Sequence, residues 1–152
     1  LKGRQYELMH DNKSDAAFLF KQIQLKFGKN CNHDFDELDL THSQAHTLMF
    51  LIRSQNKEIN QKDIEKKFGL SNPTVTGILK RLEAKGFITR TVSAADNRYK
   101  TIGITQKSRD IEAKVIKNIE KAQNKLFENL TDEEILFITD IFKKMLYNID
   151  NK

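Results

Sequence analysis

The residues of this 152-residue chain best suited to chemistry are hydroxyls and cations at helical spacing. Between positions 71 and 85, Pro73, Thr76, Gly77 and Lys80 share one helical face, with Thr74 and Arg81 at its margins. Val75, Ile78, Leu79 and Leu82 fall on the opposite, apolar face. Small hydroxyls and long cations suit base edges and phosphates. Ser71 and Asn72 open the helix, where free backbone N–H groups and the positive dipole end favour a phosphate; plain capping is the other use of the same residues. Gly77 in mid-helix costs about 1 kcal/mol relative to alanine. Close approach of the backbone to a groove wall would justify it, and a chance surface glycine is the alternative. Further along, Asp96, Asn97 and Arg98 form a turn in which Asp96 accepts from the loop backbone or pairs with a neighbouring arginine. Arg98 would then extend into a minor groove, where negative potential is concentrated; an unpartnered loop arginine is the alternative. Arg90 and Lys100 flank that turn, and Gln61 and Lys62 open the preceding helix, so these four join the candidate contacts.

Other chemistries have thinner material. His42 and His46 stand one helical turn apart and could share a metal ion, with Cys31 and His33 nearby in sequence. No histidine follows position 46, so such a site would have to come from the first two helices alone. The other reading leaves His42 exposed at its helix start and His46 at the core margin, and no metal is expected. Cys31, the single cysteine, excludes an internal disulfide and suits a reducing compartment. It is a candidate redox sensor, or a small hydrophobe on the same stripe as Phe27 and Phe35. There is no phosphate-binding glycine loop, nucleophile motif or paired metal-ligand signature, so the chain reads as a binding protein without a cofactor, not an enzyme.

The elements that must position these groups follow from periodicity. Leu19, Ile23, Phe27, Cys31 and Phe35, with Phe20 and Leu38 beside them, predict one long amphipathic helix over 16–38, weakest around Gly28 and 30–34. Thr41 caps a second helix ending near Arg53, and 54–58 is a loop. Asn60 with Asp63 predicts a capped third helix stopped by Gly69. The fourth runs from Ser71 to a stop at Gly86. Alternation then predicts strands over 87–92 and 99–105 around a polar tip at 93–98. In the next helix Ile111, Val115, Ile119, Ala122, Leu126 and Leu130 face inward. Thr131 with Glu134 caps the last, which carries Ile135, Ile138, Phe142, Met145, Leu146 and Ile149. The fold class is therefore mainly α with a small β-hairpin (α+β): a helix-turn-helix and wing over 41–106, flanked by helices at 14–40 and 107–150. Those flanking helices are more apolar than a small core needs, so a second subunit is their expected cover; folding back on the core is the alternative.

Charge supports a polyanion partner. The net charge is +5, but residues 53–109 hold 13 lysines and arginines against 5 acids, leaving the rest of the chain at −3. Such asymmetry is the electrostatic footprint of nucleic-acid binding, though a solvated basic face would look the same. No apolar run is long enough to span a bilayer and no signal peptide is evident, so a cytoplasmic location is expected. Met9 reads as a candidate start, with residues 1–8 an appended remnant that carries no functional signal.

The runs LTHSQAHTLMFL, INQKDIEKKFGLSNPTVTGILKRLEAKGFITR and ADNRYKTIGITQKS resemble the MarR family of winged-helix regulators over nearly the whole chain. The specific parts are the leucine–threonine entry with Gln44, the SNPTVT start, the LEAKGFI exit, and Asp96 with Arg98. The resemblance implies a homodimer built by the first and last helices, a pseudo-palindromic DNA operator read by one helix per half-site, and repression relieved by a signal. It also implies an effector pocket among the first helix, the second and the start of the helix after the wing, where Phe20, Phe27 and His46 are candidates alongside ordinary core packing. Ser108 departs from a common glycine and is expected to alter the turn after the wing. The competing function is a winged helix that docks proteins, which would need an apolar recognition face.

Overall fold

A computed structural model describes residues 12–54, 57–93 and 97–151, without the side chains of 32–34. The remnant expected at residues 1–8 and the tip residue Asp96 lie outside them. Helices α1 (Asn12–Asp34), α2 (His42–Arg53), α3 (Gln61–Phe68) and α4 (Asn72–Ala84) precede strands β1 (Ile88–Val92) and β2 (Lys100–Ile104), then α5 (Gln106–Leu126) and α6 (Asp132–Asp150). The chain divides into two compact units, 1–118 and 119–152, and α5 runs through the division.

Local chemistry sets most boundaries. Thr41, Asn60 and Thr131 each accept from the backbone three residues on, and Gln44, Asp63 and Glu134 return the bond. These reciprocal caps satisfy N–H groups that the first helical turn leaves unpaired. Gly69 ends α3 at φ 61°, a left-handed conformation that lets its N–H reach the Glu65 carbonyl. Ser71 occupies the N-cap position of α4, but its hydroxyl makes no capping bond and meets Thr74 Oγ1 at 2.8 Å instead.

Several boundaries differ from expectation. The first helix starts at Asn12 and stops at Asp34; Phe35 leaves the helical ladder, and a 3-10 turn spans Asp36–Leu38. The turn closes because the Leu38 and Leu40 N–H groups both reach the Phe35 carbonyl. Leu130 falls beyond the end of α5, in the link to α6, and is exposed. The two strands are each one residue shorter at both their sequence-predicted ends, except that β1 keeps Val92.

The core of the first unit forms where α2, α3, α4 and the hairpin meet. Phe35, Ala45, Leu48, Ile64, Val75, Leu79, Leu82 and Val115 are wholly buried, and Phe87 and Ile88 nearly so. Each of these side chains larger than alanine contributes about 1.5–3 kcal/mol by leaving water. The antiparallel ladder sets Ile88 opposite Ile104 and Val92 opposite Lys100. Ile102 N–H adds a bond to the Ile59 carbonyl at 2.8 Å, tying the segment before α3 to the wing. Ser108 is fully buried and its hydroxyl donates to the Phe87 carbonyl, while Thr105 donates to Gly86 O at 2.8 Å. The serine thus adds a bond at the start of α5 that a glycine could not make. In the second unit α6 has no buried residue. No helix among the described residues is long and apolar enough to cross a membrane.

Candidate nucleic-acid interface

The α3–turn–α4 unit presents the residues singled out in the sequence. Val75, Ile78, Leu79 and Leu82 hold α4 to the core, leaving Ser71, Asn72, Pro73, Thr74, Lys80 and Arg81 exposed and Thr76 and Gly77 half-buried. A Cβ at Gly77 would meet nothing nearer than Arg81 Nη1 at 3.9 Å. No neighbour among the described residues therefore requires glycine there.

The leading ends of α3 and α4 are joined by hydrogen bonds from side-chain amides. Gln61 Nε2 donates to Glu65 Oε1 at 2.9 Å, to Thr76 Oγ1 at 2.9 Å and, more weakly, to the Asn72 carbonyl at 3.4 Å. Asn72 Nδ2 donates to the same Glu65 oxygen at 2.8 Å. Gln61 is consequently a clamp between helices and not a side chain reaching outward alone. Lys62 places its ammonium 5.3 Å from the Tyr99 ring centroid, an attraction between cation and ring face that links α3 to the wing.

The wing is fastened to α4 through its arginine. Arg90 Nε donates to Glu83 Oε2 at 2.9 Å and its terminal nitrogen pairs with the same oxygen. This bond, with the nearby Lys100 charge adding to it, holds the Glu83 carboxyl below the usual carboxylate range. Arg90, expected among the contacts, is thus bound to Glu83, whereas Asn97, Arg98 and Lys100 lie exposed along the wing. The end of α4 is anchored in turn: Lys85 Nζ meets Asp39 Oδ1 at 3.1 Å and Lys107 Nζ reaches the Lys85 carbonyl at 2.7 Å.

The sensing candidates separate. Phe27 meets His42 edge-on at 5.5 Å, and the His42 and His46 rings lie 4.3 Å apart, with Phe35 at 6.2 Å from His42. Burial, and the neighbouring His46 charge, push His42 down to about 4; burial also lowers His46. Two rings that resist protonation are compatible with metal ligation, but among the described residues no three histidines, cysteines or acids cluster for it. Cys31 is buried, and Phe20 is exposed on α1. A cavity of about 450 Å³ lies elsewhere, lined by Leu51 and Ser54 of the α2 end, Ile59, Ile102 and Arg109 among others. None of Phe20, Phe27 and His46 lines it.

Sequence reasoning missed Glu65, Glu83 and Tyr99. Glu65 is four residues after Gln61, a readable helical pair; its reach across the Gly69 turn to Asn72 depends on the angle between helices. Glu83 and Arg90 face each other only once the chain has reversed at Gly86, which has φ 75°.

Two helices joined by a tight turn, the second exposed along its polar face and followed by a two-stranded hairpin, make a winged helix-turn-helix. The MarR family model matches residues 40–100. The chain is 33% identical over 136 residues to the HTH-type transcriptional regulator SarZ of Staphylococcus saprophyticus, covering 90% of this chain and 88% of that protein. It is 29% identical over 109 residues to the uncharacterized HTH-type transcriptional regulator YdgJ of Bacillus subtilis, covering 72% of this chain and 66% of that protein. The fold is similar to S. aureus MepR in its complex with DNA, with a TM-score of 0.80, 27% identity and coverage of 95% of this chain and 99% of that one. This chain belongs to the MarR family, a family of transcriptional regulators and not of enzymes.

Proposed function

We propose that the protein is a homodimeric, sequence-specific double-stranded DNA-binding repressor, acting in the cytoplasm on a pseudo-palindromic operator and released by a signal. The observation that carries this reading is the polar face of α4, with Ser71, Thr74, Lys80 and Arg81 exposed above a buried apolar face. The centre of a protein-docking surface would instead be rich in aromatic side chains and poor in charged ones. In this reading Thr76 and Gly77 approach base edges in the major groove, Lys80 and Arg81 neutralise phosphates, and Arg98 enters the minor groove beside Asn97 and Lys100. Residues 14–40 and 107–150 form the subunit contact. MepR, similar in fold over nearly the whole chain, has been seen on DNA, which supports the reading.

The signal site is proposed where Phe27 and His46 close around His42, with Phe20 further up α1. A small aromatic compound inserted between those rings would disturb the packing of α1 on α2.

Titration of operator duplex by fluorescence anisotropy tests the proposal. Affinity should fall steeply with salt through counterion release, and Arg98→Ala should weaken binding by roughly 1–3 kcal/mol. A flat salt response would favour protein docking, and an unchanged affinity for the variant at moderate salt would remove Arg98 from the interface.

A further inference from the structure

We infer that Glu65 orients the amide side chains at the leading end of α4 and thereby sets the hydrogen-bond pattern this end offers to a base pair; the inference rests on the DNA-reading role proposed above. An ionised carboxylate can only accept hydrogen bonds. Because Glu65 Oε1 lies 2.9 Å from Gln61 Nε2 and 2.8 Å from Asn72 Nδ2, both amide nitrogens are turned toward it and both amide oxygens away. The usual ambiguity in the orientation of such amides is removed by the chemistry of their common partner.

The remaining capacity can be counted. Gln61 has two amide hydrogens, and Glu65 together with Thr76 Oγ1, at 2.9 Å, occupies both. What Gln61 has left is its oxygen, an acceptor. Asn72 keeps its oxygen and one N–H; among the described residues no donor meets that oxygen. Thr76 takes the Gln61 hydrogen on its oxygen, which leaves its own hydroxyl hydrogen to donate outward. At the position faced by Gln61, which keeps only an acceptor, that oxygen selects a base carrying an exocyclic amine, adenine through N6 or cytosine through N4, and gives guanine, with N7 and O6 both acceptors, nothing to bond. Without the carboxylate, rotation about the last side-chain bond would let either amide present its N–H groups and accept guanine equally well. Glu65 is in this sense a positioning residue: it need not touch DNA to narrow which sequences bind.

The test uses the full chain and a set of operator duplexes substituted one base pair at a time. Wild type should discriminate about fivefold or more, the scale of one hydrogen bond, against replacing an amine-bearing base with guanine at one position in each half-site. Glu65→Gln, whose amide can donate as well as accept, should reduce that ratio to near one while leaving the other positions and the melting temperature unchanged. Gln61→Ala should lose preference at the same position. Retained discrimination in Glu65→Gln would overturn the inference while leaving the DNA-reading role intact. A uniform tightening across all duplexes would overturn it too, since Glu65 would then act as a charge repelling phosphate. A wild type that binds no duplex would defeat the underlying role itself, and the inference with it.

Discussion

The helix-turn-helix with its wing and the helices at the two ends of the chain treat their apolar residues in opposite ways. Leu48, Leu79 and Leu82 in the former are 0% exposed, whereas Leu136, Phe137 and Ile149 of α6 are 63–69% exposed and Leu19 and Ile23 of α1 are 58% and 50% exposed. The former region closes its own core. The latter presents side chains of the same chemistry to solvent, at helical spacing, over two helices. Isolated exposed leucines are ordinary, but contiguous apolar faces of this length are the mark of a surface awaiting cover. One region therefore closes a core within the single chain, and the other leaves its apolar side chains exposed in it.

The strongest way to break the contrast is to damage each region and ask whether the losses depend on protein concentration. Leu79→Ala should destabilise the reading region by about 2–5 kcal/mol, through lost transfer energy and the cavity left behind. Urea unfolding followed by circular dichroism should show that loss with no dependence on concentration. A loss below 0.5 kcal/mol would mean that α4 is not anchored as its burial implies.

Ile149→Asp addresses the other region. Its side chain is 69% exposed in the single chain, so the substitution should leave the folded monomer nearly unaffected. Burying the new carboxylate against a second subunit should weaken association by roughly 1–3 kcal/mol. Sedimentation equilibrium of wild type and variant measures this directly. If wild type is monomeric, or if the variant dimerises as tightly, the exposed face of α6 has some other cover.

Legibility in the sequence divides along a similar line. The caps at Thr41, Asn60 and Thr131 were readable because each is a bond between residues three apart, and the hairpin was readable because its alternation is local. The fold class followed from those local signals. The stripe Leu19, Ile23, Phe27, Cys31 and Phe35 was readable as a face, but periodicity does not say what covers a face: Cys31 and Phe35 are buried within the chain and Leu19 and Ile23 are not. The candidate contacts on α4 were readable for the same reason as its core face. Bonds that require two elements to meet at a particular angle, such as Glu83 with Arg90 or Glu65 with Asn72, carry no sequence signature of their own. That is why Arg90 stood among outward-facing contacts in the sequence and is held by Glu83 in the structure, and why Gln61 commits both amide hydrogens to α3 and α4 and keeps only its oxygen to offer outward. Asp96, at the wing tip, lies outside the described residues and its expected pairing with them.

Within the reading region the two helix starts can sharpen the comparison further. Asn60 accepts from Lys62 N–H at 2.9 Å and Asp63 N–H at 3.3 Å, so Asn60→Ala should cost about 1 kcal/mol. Ser71 makes no capping bond, so Ser71→Ala should cost only a few tenths, within the scatter of surface substitutions. Equal losses for the two variants, measured by thermal melts, would show that Ser71 caps α4 in solution after all.

The smallest effect expected is a dependence on pH, and it bears on the place where the two regions touch in sequence, the start of α2. His42 titrates near 4 in the folded chain against an ordinary 6.5, first because burial disfavours the charged ring and then because His46 lies beside it. The unfolded chain therefore binds more protons than the folded one between those two values. Stability contributed by the neutral ring is fully present above about 6.5 and declines as pH falls toward 4. Since the ring is partly exposed, solvent screening keeps the effect small. His42→Gln removes the titrating group while keeping a polar side chain of similar reach. The urea midpoint of wild type should drop between pH 7 and pH 5 by more than that of the variant. Parallel declines would assign the acid sensitivity to other groups and leave the rings around Phe27 as neutral packing at every pH tested.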